Sequence, residues 1–107
     1  PNENKYPKEF ENKKTLIAIY DNLSDILSNL EVVDFDLIVK NLTLKFDEIY
    51  LGASKKPEWH KNKDVENEIT SAMEDVLWDL EDEYDISIEN KDKIYQTIRG
   101  IGISFYA

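Results

Sequence analysis

The chain has no cysteine among its 107 residues. A disulfide framework and a thiolate metal site are thereby excluded. Histidine occurs once, as His60, inside a lysine-rich stretch, and no serine is spaced as its nucleophilic partner. No apolar run approaches the roughly 20 residues that span a bilayer. The first residues, Pro1-Asn2-Glu3-Asn4-Lys5, lack the basic-then-apolar plan of a secretion signal. Pro1 fits a chain whose initiator methionine has been removed, so the expected compartment is the cytoplasm. Positive charge is scarce: 13 Lys and Arg stand against 23 Asp and Glu, for a net charge of −10. That balance argues against a nucleic-acid backbone or an anionic membrane as the main partner, since both need positive charge. It permits a basic protein as partner, and it also permits plain solubility.

What is present fits one globular domain over 1–107, with residues 1–7 as a loose polar arm. The charge is unevenly placed. Residues 1–63 carry 11 acids and 10 bases, whereas 64–85 carry 10 acids and no base. Nearly the whole imbalance sits in one segment.

Apolar residues recur at three- and four-residue spacing over most of the chain. Leu16, Ile19, Tyr20, Leu23, Ile26, Leu27 and Leu30 predict a first helix over 8–30. Phe35, Ile38, Val39, Leu42, Phe46, Ile49 and Tyr50 predict a second over 35–51, capped by Asp34 and stopped by Gly52. Leu37, Leu44 and Leu51 form a second line seven apart, so this helix is expected to be apolar on two sides and the most buried element. Residues 53–63, with four lysines, Pro57, Trp59 and His60, read as a solvated loop whose Lys61 and Lys63 screen the acidic helix or join a partner's rim. Basic and aromatic residues together can mark a single-strand nucleic-acid contact, but the acidic neighbour would repel phosphates.

The third helix is the clearest. Asp64 is its expected cap; Val65, Ile69, Ala72, Met73, Val76, Leu77, Leu80 and Tyr84 form its apolar face. A shorter helix over 91–99 is expected to follow Asn90 and stop at Gly100. The apolar tail 101–107 either packs across the bundle or pairs with Ile86-Ser87-Ile88 as a minimal strand pair. The expected fold is all-α, an antiparallel four-helix domain.

Placing the third helix at 100° per residue puts Asn67, Ser71, Glu74, Trp78, Glu81, Asp82 and Asp85 opposite its apolar face. Trp78 points into the middle of the acids. A ring supplying buried area, surrounded by carboxylates that steer and select, has the character of an interface anchor. The competing reading is that the tail (Phe105 or Tyr106) or the 53–63 loop covers it. Glu81, Asp82, Glu83 and Asp85 also crowd the helix's C-terminal end, where they oppose its dipole and repel one another with no lysine spaced to relieve them. Local rules broken this way tend to mark functional sites. The expected partner-binding residues are therefore Ser71, Glu74, Asp75, Trp78, Glu81, Asp82 and Asp85. No metal, cofactor or catalytic set is expected. The alternation from Asp79 to Asp85 has the look of a calcium loop, but Tyr84 stands where glycine is needed and Asn90 where a bidentate glutamate is needed. Nothing supplies the acids with an apolar pocket that would tune a carboxylate for catalysis. Asn41-Leu42-Thr43 matches a glycosylation sequon, which has no bearing in the cytoplasm.

A small, acidic, cysteine-free, helical chain with an aromatic set among carboxylates resembles the immunity proteins that neutralise bacterial nuclease toxins, of the colicin and contact-dependent growth-inhibition types. The likeness is one of character across most of the chain, with no motif aligned residue by residue. Leu77-Trp78-Asp79-Leu80 is similar to the inhibitory helix of barstar-type inhibitors, although the surrounding pattern does not match. The resemblance implies a protein that binds a basic nuclease domain and keeps the producing cell alive. Two other expectations stand beside it. One is a DNA-mimic anti-restriction or anti-defence protein, using the acids as phosphate surrogates. The other is a small structural or adaptor homodimer joined through the second helix and tail. The chain is expected to be a monomer or a weak homodimer.

Overall fold

The computed structural model describes residues 6–107, so most of the expected loose arm lies outside the described residues. Among them the regular elements are helical throughout: α1 (Lys14–Ile26), α2 (Phe35–Ala53), α3 (Lys63–Tyr84) and α4 (Lys91–Tyr106), with single 3-10 turns at Lys8–Phe10 and Trp59–Lys61. The four-helix architecture is the expected one. The molecule is a slab of 39 × 35 × 18 Å, about two helices thick. α1 packs on α2 and α4, and α2 packs on α3 and α4.

α1 is shorter than the expected 8–30. Glu11 and Asn12 adopt left-handed backbone, with φ of 47° and 63°, and a right-handed helix cannot continue through it. The break lets Phe10 turn into the core, fully buried and edge-on to Tyr20 at 5.4 Å. α2 buries Ile38, Val39, Leu42, Phe46 and Tyr50. Its second line is not buried as expected: Leu37 is 44% and Leu51 43% exposed, with Leu44 half-buried between them. α2 packs against α1, α3 and α4, and the leucine line falls on the side those three helices leave open. Asp34 holds the expected cap position without a side-chain capping bond, and the helix passes Gly52 by one residue.

The 53–63 connector is not the expected solvated loop. Trp59 is buried, at 4% exposure, edge-on to Tyr50 at 5.7 Å, and its Nε1–H donates to the Tyr106 carbonyl at 3.3 Å. The cap of α3 is Asn62 rather than Asp64: its Oδ1 accepts from the N–H groups of Asp64 and Val65.

Gly100 does not stop α4, and no strand pair forms between 86–88 and the tail; the tail is the second half of the helix. Two glycines weaken a helix by about 1 kcal/mol each, but continuing it lets Ile101, Ile103 and Tyr106 pack on the core. Gly102 makes that approach possible, since a Cβ there would collide with the ring of Tyr50. At the far end the Tyr106 hydroxyl donates to Asp47 of α2 at 2.5 Å, and Lys13 stands 3.7 Å from the same buried carboxylate. Burial first, then the Asp47 bond and charge, push the Tyr106 phenol up to about 12.

Candidate protein-binding face

α3 is a rod of 22 residues, roughly 33 Å long at 1.5 Å per residue. Its buried stripe is Val65, Ile69, Met73, Leu77 and Leu80. The groove it forms with α2 is lined on the α3 side by Glu68, Ala72, Val76, Asp79 and Glu83. Glu74, Trp78 and Asp82 therefore point away from α2. Trp78 is 58% exposed. Neither the tail nor the connector covers it, because Tyr106 is engaged with Asp47 and Trp59 with Tyr106.

Around the ring, Ser71, Asp75, Asp82 and Asp85 are exposed and Glu74 is half-buried. None of the four acids Glu74, Asp75, Asp82 and Asp85 has an ion-pair partner among the described residues. Asp85 ends the helix in left-handed backbone, φ 53°, a place glycine or asparagine usually takes. Asp82 and Asp85 both face the negative end of the helix dipole without relief.

Glu81 is different. One oxygen accepts from the Ile88 N–H at 2.8 Å and the other from the Lys91 ammonium at 2.9 Å. The Ile88 bond above all holds its carboxyl below the usual range; burial opposes it, and the Lys91 bond and charge add to the lowering. The relief that spacing along the helix denies arrives across space, from the start of α4. Glu81 ties the α3–α4 connection together and belongs to the scaffold of the face.

α4 adds two residues that the helical wheel of α3 cannot show. Burial raises the Tyr95 phenol, and so, in turn, do the charges of Glu74, Asp92 and Glu81. Tyr95 and Asp92 therefore border the acidic face. The sequence signal was thin: a six-residue link, 85–90, that folds the start of α4 back beside the end of α3.

Two of the connector's four lysines are paired locally. Lys56 pairs with Glu68 at 3.4 Å and Lys61 with Glu58 at 3.6 Å. Near it Arg99 grips Glu66 with two hydrogen bonds, and that bond lowers the Glu66 carboxyl and raises the guanidinium. No group of three His, Asp or Glu side chains among the described residues is placed to hold a metal ion, and no helix among them is long and apolar enough to cross a membrane. The arrangement suits non-covalent recognition of a basic surface: one aromatic, a rigid helix beneath it and unpaired carboxylates on several sides. Comparison with protein-family models, curated proteins and solved structures finds no significant match for this chain.

Proposed function

We propose that this chain is an immunity- or antitoxin-type inhibitor, acting in the cytoplasm, that binds a basic toxin domain, a nuclease in the first instance, through the α3 face around Trp78. The exposure of Trp78, at 58%, carries the reading. A tryptophan left half-open on a rigid helix offers large contact area at little entropic cost. The unpaired acids would accelerate the encounter with a basic partner and make it salt-dependent.

The test uses a basic nuclease toxin domain, sought first in the reading frame next to the one that encodes this chain. Glu74→Lys with Asp82→Lys, and separately Trp78→Ala, should leave the circular dichroism spectrum unchanged and weaken association by well over tenfold. The charge variant should also flatten the dependence on salt. Glu81 is left alone because it holds the scaffold. Unchanged affinity in both variants would remove this face as the interface. Competition with DNA for a DNA-binding enzyme, insensitive to Trp78→Ala, would favour the DNA-mimic reading.

A further inference from the structure

The leucine line on α2 is open at both ends, while Leu44 at its middle is half-buried and packs in part on the core. Leu37 and Leu51 are nearly half exposed, and Val33, one turn before Leu37, is fully exposed. Leu37, Leu44 and Leu51 stand seven residues apart, so they fall along one side of the helix over roughly 21 Å. We propose that this face joins two copies of the chain, with their α2 helices antiparallel about a two-fold axis at Leu44.

Self-complementarity identifies the occupant. In an antiparallel pair centred on residue 44, each position before the centre meets the one equally far beyond it. Leu44 meets its own copy, and Leu37 meets Leu51 twice over. Lys40 meets Glu48, and by symmetry Glu48 meets Lys40. The same patch therefore serves both sides, as a two-fold interface requires. A parallel pair would instead set Lys40 against Lys40 and Glu48 against Glu48.

The local chemistry fits. Lys40 already holds Glu9 at 3.0 Å, and an ammonium group has donors to spare for a second carboxylate. Glu48 is exposed and has no ion-pair partner among the described residues. α2 carries three acids and two bases, so the seam is almost neutral in a chain of net charge −10. The main concentration of acids lies on α3, and those beside Trp78 point away from α2. Three leucines a side make a small interface, and the pair belongs among weak, concentration-dependent associations. This dimer does not depend on the role assigned to Trp78.

The experiment is sedimentation equilibrium of the full chain over a wide concentration range. The wild type should pass from the mass of one chain to that of two. Lys40→Glu alone and Glu48→Lys alone should each weaken self-association at least tenfold. An equimolar mixture of those two variants should restore it, because in the mixed pair every reversed charge again faces an opposite one. Leu37→Ser with Leu51→Ser, at exposed positions, should also weaken it tenfold with helix content and thermal midpoint unchanged. A single-chain mass throughout would overturn the proposal. So would a dimer that the single charge variants leave intact, or variants whose mixture stays monomeric.

Discussion

The two tryptophans sit in opposite circumstances to those their neighbours in sequence suggest. Trp59 lies in a polar, lysine-rich connector and is buried, with its ring against Tyr50 and its N–H on the Tyr106 carbonyl. Trp78 lies in the most regular helix of the chain and is 58% exposed. One is a structural rivet and the other a free surface feature. Local polarity therefore does not decide burial. The phase of a helix does so where there is one, and the reach of distant elements does so where there is none.

The contrast is sharpest when each ring is removed. Trp59→Ala should cost about 3–5 kcal/mol, the range for a large buried aromatic, whereas Trp78→Ala should stay within about 0.5 kcal/mol; denaturant unfolding measures both. The single-tryptophan proteins that result report the same difference spectroscopically. With only Trp78 left, emission should be red-shifted and readily quenched by acrylamide; with only Trp59 left, it should be blue-shifted and protected.

The two glycines of α4 extend the comparison to the helix that Trp59 pins. Gly102→Ala forces a methyl into the Tyr50 ring and should cost about 1–3 kcal/mol. Gly100→Ala meets nothing within 4 Å and should gain about 0.5–1 kcal/mol from helix propensity. The opposite signs, two residues apart, test whether α4 really continues through both.

Glu81 and Asp82 contrast a scaffold acid with a free one. Glu81→Ala strands the Ile88 N–H and should cost about 1–3 kcal/mol. Asp82→Lys replaces a charge that the helix end disfavours and should gain about 0.3–1 kcal/mol, with any loss of partner binding setting function against stability.

The smallest effect at neutral pH becomes visible at the extremes. The carboxyls of Glu81 and Glu66 are lowered from 4.5, so their contribution is complete above that value and is lost as pH falls through the lowered folded pKa. The phenols of Tyr50 and Tyr106 are raised from 10.0 to about 12, so theirs is complete below pH 10 and is lost as pH rises toward 12. Tyr50→Phe, which keeps the ring against Trp59, should blunt the alkaline loss, measured as the thermal midpoint against pH.

Much of this protein was decided by its sequence alone. The helical class, the position of α3, the outward aim of Trp78 and the gathering of charge on one segment all follow from local periodicity, because 100° per residue assigns each side chain a face whatever lies nearby. Five of the seven residues expected at the site, Ser71, Asp75, Trp78, Asp82 and Asp85, are exposed for that reason. The rest was decided only by tertiary structure. Whether a second apolar line is buried depends on which sides of its helix the neighbours occupy, and Leu37 and Leu51 fall on the side of α2 left open. Whether a glycine ends a helix depends on what lies beneath it, and Tyr50 makes Gly102 a point of contact. Whether a carboxylate is free depends on what arrives from afar: Lys91 and the Ile88 N–H reach Glu81, and no ion-pair partner among the described residues reaches Asp82. These outcomes rest on contacts between residues far apart in the chain, and no pattern read along it registers them.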